Sequence, residues 1–140
     1  MSGFLLDTNV ISELVRPNPS PKVVSWLDSV DEDLIYLSVL TLGEIRSGIA
    51  TLASAKRRTQ LEAWLESDVY IRFGARILDI DRSVADRWGM LLAQSKTSGR
   101  PLPVVDGLLI ATAIDHNLTF VSRDTSGAKA TAVSAFNPWD

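Results

Sequence analysis

The sequence contains no cysteine, a single histidine and no apolar run long enough to cross a membrane. Without cysteine no disulfide framework can form, and with His116 alone neither a structural zinc site nor a histidine-based triad has a plausible ligand set. No stretch approaches the ~20 apolar residues that span a bilayer. The amino terminus also lacks the basic and apolar segments of a secretory signal, so we expect a cytosolic protein.

An excess of positive charge is also missing. Acidic residues number 17 against 14 Lys and Arg, for a net charge of −3. This balance argues against a broadly basic surface that holds nucleic acid by counterion release. Local contacts stay open, because bound metal ions reverse the field around clustered acidic residues. The 140 residues suit one compact domain spanning 1–140.

Short apolar runs alternate with helical patterns along the chain. Strands are predicted at residues 4–6, 34–38, 77–80 and 118–121, with a weaker candidate at 132–136. Helices are predicted at residues 22–29, 41–52, 54–67, 82–98 and 103–116. This alternation requires crossover connections, and therefore an α/β fold with a parallel sheet and helices on both faces.

Four acidic residues lie at or soon after the ends of these elements. Asp7 follows the first strand, and Asp124 follows the fourth. Glu44 lies six residues after the second strand, and Asp106 lies near the start of the last helix. Because open parallel sheets bind ligands beyond the carboxyl ends of their strands, we expect all four carboxylates at one rim of the sheet. We call this group the acidic rim.

Each of the four also has a simpler structural explanation. Asp7 can be the N-cap of a helix that follows it. Thr41 and Glu44 have the spacing of a capping box, in which the glutamate reaches back to a backbone N–H. Asp106 suits the first turn of a helix because of the helix dipole, and Asp124 can form an Asx-turn.

The helix around Asp106 favours a functional site. Its sequence, "PVVDGLLIATAIDHN", is apolar almost all round, which predicts a buried helix without a solvated face. A carboxylate there needs a partner or a metal, because an unpaired buried charge takes up a proton instead. Oxygen-rich clusters suit hard cations such as Mg²⁺ or Mn²⁺. Asp115 lies about half a turn away around the helix axis, and we expect it to be a surface residue.

The stretches "LLDTNVISEL", "YLSVLTLGEIRSGI", "DGLLIATAIDHNLTFVSRDT" and "FNPW" span nearly the whole chain in order. Together they resemble the PIN-domain nucleases, within them the VapC-type toxins of bacterial toxin–antitoxin pairs, and especially the FitB-like branch. The resemblance implies a five-stranded, mostly parallel sheet flanked by helices, with a Mg²⁺ or Mn²⁺ site at its rim. The acidic positions that carry over, as catalytic residues and metal ligands, are Asp7, Glu44, Asp106 and Asp124.

Four further residues are candidates for ordering the site or binding substrate. Thr8 matches the hydroxyl position that helps to order the site in the family. Asn9 completes the "DTN" motif, although capping of the following turn explains it equally well. Arg46 and Arg123 are placed to hold phosphate, or else to pair with a carboxylate and balance the charge of the site.

The resemblance implies a metal-dependent endoribonuclease toxin that is neutralised by a cognate antitoxin and reaches DNA only through it. The alternative is a weakly catalytic or non-catalytic subunit of an antitoxin-mediated DNA-binding repressor complex. Because the chain shows no helix-turn-helix or basic arm of its own, any DNA contact would come through the antitoxin. Aspartyl phosphorylation of Asp7 is disfavoured, because Asn9 stands where such phosphatases need a second aspartate. The amphipathic helices 22–29 and 54–67 predict a homodimer.

Overall fold

The computed structural model describes residues 3–140, so the first two residues of the expected 1–140 domain lie outside it. The strands are β1 Phe4–Leu6, β2 Ile35–Ser38, β3 Ile77–Leu78, β4 Thr119–Val121 and β5 Ala135–Phe136. The helices are α1 Thr8–Glu13, α2 Pro21–Ser29, α3 Val39–Ala50, α4 Ala55–Trp64, α5 Arg82–Thr97, α6 Val104–Asp115 and α7 Ser126–Lys129. Short 3-10 turns are formed by Glu32–Leu34 and Gly74–Arg76, and a π-helical segment by Leu65–Ile71.

The five strands form one parallel sheet in the order β3-β2-β1-β4-β5. The central strand β1 pairs with β2 through Phe4 and Ile35, and with β4 through Leu6 and Val121. The residues that follow β1, β2 and β4 therefore leave the sheet side by side at one edge. The predicted α/β fold with a five-stranded parallel sheet is confirmed.

The sheet separates two apolar cores. Leu5 and Leu6 are adjacent on β1 and both fully buried, and they point to opposite faces because side chains alternate along a strand. Leu6 packs in a core built with α1, α2, α3 and the end of α4. Leu5 packs in a second core with α5 and α6, where the neighbouring strand contributes Phe120. Helices on both faces thus hold the central strand in place.

Helix α3 starts two residues earlier than its sequence pattern predicted. Ser38, expected inside a strand, is the N-cap, and its hydroxyl accepts a bond of 3.1 Å from the Leu40 amide. The predicted capping box of Thr41 and Glu44 is therefore wrong, because Thr41 already lies within the helix and is buried. Glu44 is free to contact another element.

The predicted helix 54–67 also continues further than expected. After α4 the chain runs on through the π-helical segment, in which Leu65 and Val69 are buried, and Phe73 is buried beyond it. On an α-helix, side chains four residues apart point in directions that differ by about 40° around the axis. The wider winding of a π-helix reduces the total change of direction along this segment. The extension keeps these three side chains in the core.

The apolar faces of α2 and α4 are largely used inside the chain. Trp26 of α2 packs against the rings of Phe4 and Phe136, each at 5.2 Å between centroids. Trp64 of α4 packs against the core, whereas Ile71 beyond it is 76% exposed. The homodimer stays a prediction. The large apolar side chains that are exposed lie outside helices 22–29 and 54–67, on which the prediction was based. Among residues 3–140 no helix is both long and apolar enough to cross a membrane.

Candidate functional site

Asp7 lies at the carboxyl end of the central strand and has two roles at once. It is the N-cap of α1, where its Oδ1 accepts a bond of 2.7 Å from the Thr8 amide. Its Oδ2 accepts a bond of 2.7 Å from the hydroxyl of Ser122. The cap explanation is therefore correct for Oδ1, and the Ser122 bond fixes Oδ2 at the carboxyl end of the sheet.

Ser122, which the sequence analysis missed, connects the ends of β1 and β4. Its fully buried hydroxyl accepts a bond of 3.3 Å from the Asn9 amide and one of 3.1 Å from the Asp124 backbone N–H. Ser122 stands beside Asp7 because Leu6 and Val121 pair in register, one residue earlier. Only the knowledge that β4 neighbours β1 would have revealed this contact.

Glu44 reaches the site through Thr8. The Thr8 hydroxyl donates a bond of 2.5 Å to Glu44 Oε1. The same Thr8 hydroxyl lies 3.1 Å from the hydroxyl of the buried Thr41. This contact joins α1 to the second turn of α3, across two neighbouring strands. The structure therefore places Thr8 between Asp7 and Glu44, as expected of a residue that orders the site.

Asp106 is the third residue of α6 and is exposed, so the prediction that the helix has no solvated face is wrong for its first turn. Helix α6 is buried only from Gly107 onward, whereas Val104 in its first turn is 58% exposed. The apolar composition of the helix could not show that its first turn projects beyond the sheet.

Asp124 is held by its own turn. Its Oδ1 accepts bonds from the Ser126 amide at 3.0 Å and from the Ser126 hydroxyl at 2.7 Å. The Asx-turn explanation is therefore correct for one oxygen of Asp124. Because these bonds favour the charged form, they lower the pKa of this carboxyl below its ordinary value.

Carboxylates of the acidic rim lie close enough to one another for their charges to interact. Burial raises the pKa of Asp7, and the nearby charges of Glu44 and Asp124 raise it further, against the lowering by its hydrogen bonds. Although Asp106 is an exposed residue, partial shielding of its carboxyl raises its pKa, and the charges of Asp7 and Asp124 add to this. No ion pair among residues 3–140 includes any of the four.

The two candidate arginines do not neutralise the rim. Arg46 lies 3.9 Å from Glu66 of the π-helical segment. The guanidinium of Arg123 lies over the Trp139 ring at 5.1 Å, and its backbone amide donates a bond of 3.4 Å to Asn9 Oδ1. Arg123 is thus anchored beside the rim, whereas Arg46 is paired with a glutamate outside it.

A cleft of about 700 Å³ opens at the rim and is lined by Asp7, Asn9, Asp106 and Asp124 among others. Within residues 3–140 no three carboxylate or histidine side chains converge into a ready metal cage. Mg²⁺ rarely needs such a cage, because it is usually bound by one or two carboxylates together with waters and substrate phosphates. The all-oxygen donor set, without thiol or imidazole, fits a hard cation.

Comparisons with known proteins agree with this geometry. Residues 4–133 match the family described as PIN domain. The chain is 43% identical over 136 residues to Toxin FitB of Neisseria gonorrhoeae, covering 97% of this chain and 98% of the relative. It is 38% identical over 137 residues to VapC ribonuclease Y4jK of Sinorhizobium fredii, covering 98% of both.

Among solved structures, the fold is similar to that of FitAB bound to an IR36 DNA fragment. The TM-score is 0.93 at 41% identity, and the match covers 98% of this chain and 96% of that chain. Both the sequence match and the structural match extend over nearly the whole molecule. The chain belongs to the PIN-domain family.

Proposed function

We propose that this chain is a metal-dependent endoribonuclease and the toxin of a type II toxin–antitoxin system. The observation that carries the proposal is a set of four carboxylates at one rim of the sheet without an internal counter-charge. A relative of matching length bears the name ribonuclease, which supports RNA as the substrate. We place the protein in the cytoplasm, where cellular RNA and a cognate antitoxin are found.

Mg²⁺ or Mn²⁺ would be held by Asp7, Asp106 and Asp124, which line the cleft, with Glu44 beside them. When bound, such an ion polarises the phosphate, lowers the pKa of a bound water and neutralises charge on the leaving oxygen. The protein's own task is to orient the carboxylates and the RNA backbone. It need not supply a general base.

The hydrogen bonds around the rim accomplish that orientation. The Ser122 hydroxyl and the Thr8 amide fix the two oxygens of Asp7, so its carboxylate plane is set before substrate arrives. The Thr8 hydroxyl holds Glu44 in the same way. Asn9 lines the cleft with its amide, and we assign it a contact with the RNA phosphate.

A cognate antitoxin would neutralise the toxin by covering this cleft. An arginine from its tail matches the uncompensated charge of the rim, because a guanidinium binds carboxylates through two parallel hydrogen bonds. DNA is contacted only through the antitoxin, and no membrane takes part. If the antitoxin tail can be deleted without restoring ribonuclease activity, this mode of inhibition is wrong.

The deciding experiment incubates the purified protein with cellular RNA in Mg²⁺, in Mn²⁺ and in excess chelator, and maps the cut ends. We expect cleavage with either metal and none with chelator. Asp7→Asn should be inactive, because it removes one ligand at nearly constant volume. Cleavage that persists in chelator contradicts the metal-dependent mechanism.

A second candidate function is a DNA-associated repressor subunit with little catalysis of its own. The specific observation in its favour is the similarity to FitAB, which was solved on a DNA fragment. This function predicts no cleavage under any metal, together with tight promoter binding by the complex with the antitoxin. Both properties are measured on the same purified complex, before and after removal of the antitoxin.

A further inference from the structure

The cleft does not end at the acidic rim. It continues as a groove between the end of α5, the loop from α5 to α6, and α7. Leu91, Ile110 and Phe120, all buried, form its apolar floor. Gln94 and Thr131 line it with polar side chains. An apolar floor with a few polar groups is typical of a site for a small organic ligand.

The loop that borders this groove is stiff. Helix α5 ends in a Schellman motif, in which the Arg100 amide bonds Ser95 O at 3.0 Å and the Gly99 amide bonds Lys96 O at 3.2 Å. Gly99 has φ +73°, the left-handed conformation that this motif requires. Pro101 and a second proline two residues later then fix the backbone. Arg100 is therefore held at a defined position along the groove.

Leu102 forms a wall of the groove by packing between two glycines. A Cβ on Gly107 would lie 3.3 Å from one Leu102 methyl, and a Cβ on Gly127 would lie 3.1 Å from the other. Both contacts require glycine, because a Cβ at either position on α6 or α7 would crowd Leu102. The groove is thus built by close packing and exists before any ligand enters.

The charge of the cleft changes along its length. Its inner end carries the three lining carboxylates of the acidic rim. Within residues 3–140, Arg100 is the one basic side chain that lines it, and it is exposed. A ligand that complements this arrangement has an anionic backbone to meet the arginine and a neutral, flat, partly polar group to enter the groove.

We propose that the groove binds one unpaired nucleobase of the RNA, next to the phosphate that lies at the acidic rim, while Arg100 holds a neighbouring phosphate. The inference rests on the proposed ribonuclease function and adds a substrate-binding subsite to it. The cleft volume of about 700 Å³ falls within the roughly 300–1,000 Å³ of small-molecule sites. The Gln94 amide both donates and accepts, as the edge of a base requires.

An antitoxin side chain is the competing occupant, and the charge pattern disfavours it. The inhibitory tail needs a basic residue for the acidic rim, and Arg100 would repel further basic residues next to it. A base carries no charge, and its phosphate attracts the arginine. The observations therefore favour RNA.

The test measures equilibrium binding of fluorescein-labelled single-stranded homopolymeric RNA by anisotropy, with Ca²⁺ in place of Mg²⁺ or Mn²⁺. Ca²⁺ compensates the charge of the acidic rim but binds oxygen ligands in a less strict geometry than Mg²⁺, so that cleavage interferes less. Gln94→Trp fills the groove from α5 and should weaken binding about tenfold, the scale of one lost base contact. Ala93→Trp is the matched control, an exposed neighbour on the same helix that does not line the groove. It should bind as the wild type does.

A second pair of variants tests the phosphate contact. Arg100→Gln should make the salt dependence of log Kd shallower by about 0.7, the slope expected for one phosphate on a single strand. Lys96→Gln removes one positive charge from the same helix end without touching the groove, and should leave the slope unchanged. Melting curves of all four variants check folding. If Gln94→Trp does not fold, the comparison of Arg100→Gln with Lys96→Gln still decides the test.

The outcomes separate this proposal from the function on which it rests. Equal RNA affinity of Gln94→Trp and Ala93→Trp, with an unchanged slope for Arg100→Gln, overturns the subsite even if the wild type cuts RNA. Specific losses in the groove variants support the subsite even if no metal produces cleavage. If the groove variants weaken binding of an antitoxin tail peptide and leave RNA binding intact, the occupant is the antitoxin and the proposal is wrong.

Discussion

The two ends of α6 carry one aspartate each, and the two are held in opposite ways. Asp115 in the last turn is only 14% exposed at its side chain, accepts a bond of 2.6 Å from the Ser83 hydroxyl and lies 3.5 Å from Arg87. Asp115 lies at the end of the helix as expected, but it is partly shielded and paired. Asp106 in the first turn has no ion pair within residues 3–140, and the charges of Asp7 and Asp124 lie near it.

The comparison shows how a structural carboxylate differs from one available for chemistry. Asp115 receives its counter-charge from the protein, so it fastens α6 to α5. Asp106 lies among like charges, an arrangement that costs folding free energy and that a bound cation would relieve. The position of a counter-charge, not the residue type, distinguishes the two.

The largest expected effect is on activity. Asp106→Asn should reduce metal-dependent RNA cleavage by at least about a hundredfold, because a lost carboxylate weakens both metal binding and charge stabilisation. Asp115→Asn should cleave at the wild-type rate per folded molecule, because its contacts face away from the cleft. Initial rates on one RNA in Mn²⁺ measure both variants. Comparable losses in the two variants would remove the distinction between the ends of α6.

The next effect concerns the glycine beside Asp106. A Cβ on Gly107 would lie 3.1 Å from Trp88 Nε1, and this indole nitrogen is already buried without a hydrogen-bond partner. Gly107→Ala should therefore destabilise the fold by about 1–3 kcal/mol, as overpacking usually does. Because the displaced turn carries Asp106, cleavage should fall as well, even at temperatures where the variant is folded.

Gly43 is the matched control, since it lies within a helix and a Cβ there meets nothing within 4 Å. Gly43→Ala should stabilise the protein by about 0.5–1 kcal/mol through helix propensity. Urea unfolding in chelator measures both changes. Equal stabilities of the two variants would show that the packing against Trp88 is loose.

The smallest expected effect is the pH dependence of stability in chelator. The raised pKa values of Asp7 and Asp106 mean that the folded protein binds more protons than the unfolded chain at pH values just above the ordinary 3.8. The free energy of unfolding should therefore decline as pH rises through that range. Asp124, with its lowered pKa, opposes this trend, because its stabilisation is present above the ordinary value and lost as pH falls.

Asp7→Asn should flatten this decline, leave the metal-free stability unchanged or higher at neutral pH, and weaken the stabilisation that Mn²⁺ gives. Asp7→Ala also removes the cap and should lose about 0.5–2 kcal/mol relative to Asp7→Asn. Thermal melts of the wild type and both variants, with chelator and with Mn²⁺, provide the comparison. Equal metal-induced shifts in all three proteins would exclude Asp7 as a metal ligand.

Local patterns in the sequence predicted most elements of the fold but not the two short helices α1 and α7. Apolar runs and helical periodicity predicted all five strands and the five longer helices α2 to α6, because both signals depend on neighbours within a few residues. The errors occur where two local signals compete. Ser38 ends a strand and caps a helix, so the apparent capping box of Thr41 and Glu44 was one turn out of place.

The arrangement of the candidate site could be predicted from the sequence only in part. Sequence position delivered four carboxylates to one rim, but it could not show that Thr8 bonds Glu44, since those residues are 36 apart. Nor could it reveal Ser122, whose role depends on the pairing of β4 with β1. The exposure of Asp106 depends on how far α6 extends past the sheet. Each of these facts belongs to tertiary packing.

The strand order has a consequence for the growing polypeptide. Strand β1 is synthesised well before its neighbour β4, because helices α1 to α6 lie between the two strands in the sequence. At a synthesis rate of about 5–20 residues per second, the central strand waits on the order of ten seconds for this partner. Until then Asp106 and Asp124 are not beside Asp7, and the nascent chain has no complete acidic rim. Any chemistry that needs the complete acidic rim therefore waits until β4 and the turn after it have been synthesised.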